Sequence, residues 1–160
     1  AGAYESLRLW QRRHEKTVED TCGERKAAFV KADTAKMYLD ADPPTPESII
    51  DTGNGKTLFY DVLSKQYFLS SIDRIRAIQD SIREKLNKNK FVPFNLFLWL
   101  AEIGVTSNGD EIGWNAMDKA DMAIGFMPIL TKDGQQCIVL TYRIAPHYAY
   151  LKPAKDRCVA

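Results

Sequence analysis

The chain has 160 residues and a formal net charge of +1 at pH 7, with apolar and charged fractions that are ordinary for a soluble globular protein. This length fits one domain, or one domain with a helical extension, and the near-neutral charge gives no electrostatic case for nucleic acid as a partner. Three cysteines, Cys22, Cys137 and Cys158, are too few and too far apart for a disulfide framework or a zinc site.

The first predicted element is a helical extension over residues 1–39. Residues 4–21 are rich in helix formers and carry one narrow apolar stripe, made of Leu7, Trp10, His14 and Val18. The stripe is too narrow to build a core, yet an exposed tryptophan beside leucines usually has a partner. We therefore expect the extension to contact another chain; folding back onto its own domain is the alternative.

A proline-rich linker over residues 40–50 follows, because Pro43, Pro44 and Pro46 cannot continue a helix. An α+β domain over 51–150 and a tail over 151–160 complete the predicted organisation. The chain starts at Ala1 without methionine, which indicates a processed or truncated start, so an upstream anchor stays open.

Two hairpins and one amphipathic helix define the predicted domain. The hairpins join Thr57–Tyr60 to Gln66–Leu69 and Met122–Thr131 to Gln136–Ala145. In the last strand, Ile138, Leu140, Tyr142 and Ile144 are expected to face the core.

The helix over 71–90 presents apolar residues at helical spacing, and a short helix from Pro93 to Glu102 follows. The predicted fold class is α+β: the long N-terminal helical extension, then a small antiparallel sheet packed against the amphipathic helix. Phe68, Ile75, Ile82 and Leu140 should share one core.

Acidic residues suggest one candidate for catalysis. Asp118 and Asp121 are three residues apart and Asp110 is nearby, so a small metal-dependent hydrolase or nuclease is the alternative function. Such sites need carboxylates from several elements and a basic phosphate clamp, which are not recognisable here. His14 and His147 lack a second ligand at helical spacing. We therefore predict no catalytic residue, no metal site and no cofactor.

Aromatic residues give the candidate interface. Trp114, in a predicted Gly113–Asn115 loop, is interpreted first as a buried lid on the core. Tyrosine and arginine near the C-terminus are typical anchors of protein interfaces, with stacking on nucleic acid ranked last. The candidate interface residues are Leu7, Trp10, Trp114, Tyr142, Arg143, His147, Tyr148 and Tyr150.

Charge is unevenly distributed along the chain. Residues 71–90 are rich in lysine and arginine, whereas residues 101–121 carry five acidic residues against Lys119 alone. Oppositely charged ends suit head-to-tail self-association, although solvated surface charge explains the same pattern.

Several runs resemble an uncharacterised family that is encoded by Gram-positive gut bacteria, their phages and prophages. The runs are Ala1–Ser6, Val18–Lys26, Tyr60–Asp61, Tyr67–Phe68, Ser71–Arg76, Gly113–Asn115 and Tyr142–Tyr150. Members of this family usually carry hydrophobic, membrane-type segments upstream of this region. The resemblance implies a missing anchor and a phage context, and it implies no activity. His147 and Ala149 depart from the arginine-like and acidic residues expected at those positions.

The favoured hypothesis is a non-enzymatic, phage-encoded structural or interaction module that acts through protein–protein contacts. Its partner would be another protein or a second copy, with no nucleic acid. Its location would be the virion, the host cytoplasm, or a membrane reached through the missing segment.

Overall fold

Helices cover both faces of a five-stranded sheet in the computed structural model, which describes residues 32–89 and 91–151. No helix within those residues is both long and apolar enough to cross a membrane. The helices are α1 (Ala32–Ala41), α2 (Ile72–Asn89) and α3 (Phe94–Leu100), with short 3-10 helices at Ala116–Asp118 and Tyr148–Leu151. The strands are β1 (Ile49–Asp51), β2 (Thr57–Asp61), β3 (Gln66–Ser70), β4 (Phe91–Pro93), β5 (Gly113–Asn115), β6 (Ile124–Leu130) and β7 (Gln136–Tyr142).

The main sheet has the strand order β1-β3-β2-β7-β6. Both predicted hairpins are present, as the antiparallel pairs β2–β3 and β6–β7. The predicted antiparallel sheet is wrong, however, because β1 joins β3 and β2 joins β7 in parallel. The long crossover through α2 and α3 permits the parallel β2–β7 pair, since parallel strands cannot be joined by a tight turn. Strand β1 also includes Ile49 and Ile50, which the sequence assigned to the linker.

The two faces of the sheet are covered by different helices. On one face, Phe126 lies opposite Leu140, and Arg76 of α2 stacks over the Phe126 ring at 5.8 Å. On the other face, Tyr67 donates a hydrogen bond from its hydroxyl to the Asp42 carbonyl just after α1, at 2.8 Å. Both faces of the sheet are therefore covered by helices.

This double coverage corrects the prediction for β7. Leu140 and Tyr142 are buried as expected, but Cys137 and Val139 on the opposite face are also fully buried. Ile138 and Ile144 are only partly buried. The predicted common core of Phe68, Ile75, Ile82 and Leu140 is confirmed.

Helix α1 belongs to the folded body. Ala35 and Leu39 lie in the predicted extension, yet both are completely buried. Residues 1–31, which include Leu7 and Trp10, lie outside the described residues, as does the tail from 152. The extension and the division into domains stay predictions.

A second, two-stranded sheet pairs β4 with β5. Gly113–Asn115, expected as a loop, is therefore a strand, with Trp114 opposite Val92. This sheet carries Trp114 into the interior and places Asn115 beside the C-terminal segment of the described chain.

Candidate functional site

A buried histidine–aspartate pair joins residues from two opposed hypotheses. His147, a candidate for the interface, places its Nε2 atom 2.7 Å from Oδ2 of Asp118, a candidate for catalysis. Their residues are only 7% and 1% exposed. A buried pair in direct contact is satisfied internally, because each group replaces the water that the other has lost.

Asn115 and Tyr150 extend this pair into a network that we call the His147 clasp: Asn115, Asp118, His147 and Tyr150. The Asn115 main-chain N–H donates to Asp118 at 2.9 Å, and its side-chain amide donates to the Tyr150 carbonyl at 3.1 Å. The main chain of His147 also pairs with Gly113 in both directions. The clasp thus fastens the C-terminal segment to β5.

The three-carboxylate site of the alternative hypothesis gains no support from this geometry. Asp118 points into the clasp and is buried, whereas Asp110 is exposed. Within residues 32–89 and 91–151, no group of three histidine, cysteine or acidic side chains is placed to hold a metal ion.

A second buried carboxyl group belongs to Asp61, at the end of β2. It accepts hydrogen bonds from the Tyr142 hydroxyl at 2.7 Å and from the Ser64 main-chain N–H at 2.9 Å. Burial raises the pKa of Asp61 above its ordinary value, although these hydrogen bonds oppose the shift. The same burial, with Asp61 beside it, raises the pKa of Tyr142. The pair links the first hairpin to β7 inside the core.

The structure describes six of the eight predicted interface residues. Trp114, Tyr142, His147 and Tyr150 are buried. Trp114 is packed against Phe94 and Tyr142, and its indole N–H donates to the Ile144 carbonyl at 2.8 Å, as expected of a lid on the core. Tyr148 is partly buried and Arg143 is exposed. Of these six residues, Arg143 alone is exposed, and the predicted interface as a whole stays a prediction.

Among the exposed large apolar side chains of the described residues, which also include Met37, Leu130 and Leu151, two lie on or just after α3. Trp99 is 67% exposed and Val105, in the following loop, is 60% exposed. Helix α3 buries Phe94, Phe97 and Leu98, so its opposite face carries Asn95 and Trp99. Glu102 lies just past the end of the helix with a positive φ, and its carboxylate accepts a hydrogen bond from the Asn54 side-chain amide. We call the exposed side chains Trp99, Glu102 and Val105 the Trp99 platform.

Two side-chain amides hold the backbone of this platform. Gln66 pairs with both main-chain groups of Gly104, at 2.7 and 2.8 Å. Asn95 pairs with both main-chain groups of Thr106, at 2.9 Å each. Val105 lies between these two fixed residues in the chain. The hydrogen bonds with Asn95 hold Thr106 against the face of α3 that also carries Trp99. The apolar groups are therefore presented on an ordered backbone.

The stretch of chain that contains the platform is acidic. Residues 91–118 contain no lysine or arginine, and Glu102, Asp110 and Glu111 are exposed. The loop that carries Asp110 and Glu111 is bound to the start of α3, since Asn95 donates to the Gly109 carbonyl and Phe94 to that of Ile112. One cation, the half-buried Arg74, donates to the Leu100 carbonyl at the end of α3.

A family match agrees with the extent of the resemblance seen in the sequence. The family of unknown function DUF6353 matches residues 1–151. The chain belongs to this family. No curated protein and no solved structure matches it significantly. The predicted membership of an uncharacterised family is thus confirmed, while the phage origin stays a prediction.

Sequence reasoning on this family member missed Trp99. The run Phe94–Leu100 has apolar residues on almost every side of the helix, so its sequence pattern does not show which face is exposed. Asn95 is the available signal, because it lies one turn before Trp99 on the same face of the helix. A polar residue at that spacing indicates that the face is in contact with solvent.

Proposed function

We propose that this chain is a non-enzymatic interaction module that acts through protein–protein contacts, with the Trp99 platform as its anchor. The observation that carries the proposal is the 67% exposure of Trp99 beside the 60% exposure of Val105. Large aromatic side chains contribute strongly to binding when a partner removes them from water. A platform with an ordered backbone also loses little conformational entropy on binding.

The distribution of polar groups supports this proposal over catalysis. Three groups of the kinds that serve as acid, base or ligand, Asp61, Asp118 and His147, are buried in hydrogen-bonded pairs. A general base must reach its substrate directly or through one water molecule. The accessible chemistry of the platform is apolar with a carboxylate rim, which suits recognition.

The biological setting belongs to the same proposal. The resemblance of the sequence to phage and prophage proteins favours a virion component or a membrane-tethered protein of the infected host. Mass spectrometry of purified virions distinguishes the two: the chain is found in the particle in the first case and in the host membrane fraction in the second.

Site-specific photo-crosslinking tests the interaction function. A photo-reactive amino acid replaces Trp99 in the full chain, expressed in its native host, and a matched chain carries it at Met37. Met37 is 70% exposed but lies on α1, on the other side of the sheet. We expect protein adducts from position 99 and few from position 37. Equal or absent crosslinking at the two positions would contradict the proposal.

A further inference from the structure

We propose that the Trp99 platform binds the segment Leu7–Lys16 of a second copy of this chain, so that copies associate head to tail. The inference rests on the proposed function and names its partner. It depends on matching chemistry between the platform and a segment that lies outside the described residues.

The receiving surface is apolar at its centre and acidic at its rim. Trp99 and Val105 are its exposed apolar groups, and the exposed Glu102 lies between them in the chain, just past the end of α3, where Asn54 donates a hydrogen bond to its carboxylate. Asp110 and Glu111 add exposed carboxylates along the loop bound to α3. A complementary partner therefore needs large apolar side chains interspersed with cations.

The segment Leu7–Lys16 has this composition. Its apolar residues are Leu7, Leu9 and Trp10. Its charged residues are four basic ones against one acidic one: Arg8, Arg12, Arg13 and Lys16 against Glu15. Arginine can pair with a carboxylate through two hydrogen bonds and can also stack on an indole ring, so it suits both parts of the platform. Because the segment is basic and the platform is acidic, a segment should bind a platform rather than another segment.

The position of α1 favours a second copy as the source of the segment. Helix α1 covers the sheet face that carries Tyr67, as the Tyr67–Asp42 hydrogen bond shows. Helix α3 packs on the opposite face, where Phe97 contacts Tyr142 ring to edge at 6.0 Å. The chain thus enters the described fold on the far side of the sheet from Trp99. A contact of this kind uses two different surfaces, so each copy can donate one segment and accept another.

Complementary full-length variants test the inference by sedimentation equilibrium. Trp10→Ser keeps the platform and loses the segment's tryptophan; Trp99→Ser keeps the segment and loses the platform. We expect the unmodified chain to self-associate and each variant alone to do so at least about tenfold more weakly, as for truncation of an interface hot spot. The two variants mixed should restore one intact contact and form a 1:1 dimer. Met37→Ser, the matched surface control, should associate like the unmodified chain.

Charge reversal gives an independent readout on the same chains. Arg12→Glu with Arg13→Glu should weaken association, and so should Asp110→Lys with Glu111→Lys. Mixing these two variants should recover binding, and added salt should weaken the unmodified contact because it screens exposed charges.

Three outcomes overturn the inference: an unmodified chain that stays monomeric, self-association that survives Trp99→Ser, or a mixture of the Trp10→Ser and Trp99→Ser chains that stays monomeric. Crosslinks from position 99 to a different protein, together with a monomeric chain, would leave the proposed function standing and refute this inference alone.

Discussion

Trp99 and Trp114 lie on adjacent parts of the fold and meet opposite environments. Trp114 is fully buried, contacts Phe94 and Tyr142, and donates its indole N–H to a main-chain carbonyl. Trp99 is 67% exposed on the outer face of α3. The first tryptophan has its partners within the chain, whereas the second presents a large apolar surface to solvent.

The polar groups show the reverse distribution. Asp61, Asp118 and His147 are buried and paired, while Glu102, Asp110 and Glu111 are exposed on the same stretch of chain as Trp99. Pairing satisfies the hydrogen bonds of buried polar groups, whereas an exposed aromatic side chain is available for contact with a partner. The comparison separates residues that hold the fold together from residues that are available to a partner.

The largest effect on stability is expected at Trp114, the buried tryptophan of the pair. Trp114→Ala should lower the free energy of unfolding by about 3–5 kcal/mol, because it leaves a cavity and an unpaired carbonyl at Ile144. Urea denaturation measures the change. A loss below about 1 kcal/mol would show that Trp114 is not part of the core, since such a value is typical of a surface position.

A smaller effect is expected at the His147 clasp. Asp118→Ala removes the acceptor of both the His147 ring and the Asn115 main-chain N–H, so it should cost about 1–3 kcal/mol. Asp110→Ala, at an exposed carboxylate, is the control and should change stability by no more than about 0.5 kcal/mol.

The same two variants also test the alternative function. Metal-dependent hydrolysis by the unmodified chain that disappears in Asp118→Ala, while the fold is retained, would favour the hydrolase and contradict the clasp as a purely structural network.

The sequence predicts the parts of the fold that depend on patterns among neighbouring residues, and it misses those that depend on contacts between distant residues. The hairpins and α2 follow from local patterns: alternation along the strands, a turn at Lys132–Gln135, and isoleucines such as Ile75 and Ile82 at helical spacing. The parallel β2–β7 pair was missed because nothing near Phe59 specifies Ile138 as its neighbour across the sheet.

The candidate site was harder to predict for the same reason. His147 and Asp118 are 29 residues apart, and only the fold brings them within 2.7 Å. They were therefore assigned to different hypotheses. The burial of Val139 depends on α1, whose packing on the second face has no local signature. Trp114 was interpreted correctly as a lid because tryptophan is usually buried, and Trp99 was missed because it is an exception to that tendency.

A pH-dependent effect sharpens the account of buried polar groups. Burial raises the pKa of Asp61 above the ordinary value of 3.8, so on raising the pH the unfolded chain ionises before the folded one. Stability from the protonated Asp61 is thus fully present below the unfolded pKa and is lost as pH rises through the folded pKa.

Asp61→Asn cannot titrate at this position. Its free energy of unfolding, subtracted from that of the unmodified chain, should give a difference that falls as pH rises above about 4, near the ordinary aspartate pKa. Urea midpoints at a series of pH values measure the difference, in which all other titrating groups cancel. A difference that does not change with pH would mean that the Asp61 pKa is not raised.

The smallest effect on stability is expected at Trp99, the residue on which the proposed interaction surface depends. Trp99→Ser should change the free energy of unfolding by no more than about 0.5 kcal/mol, because the side chain is largely exposed and its removal leaves no cavity.

Denaturation and partner binding measured on the same Trp99→Ser chain give the most direct test. We predict an unchanged unfolding midpoint together with the loss of the protein contacts that the unmodified chain makes. A folded Trp99→Ser chain that keeps all of those contacts would contradict the assignment of the Trp99 platform as the interaction surface.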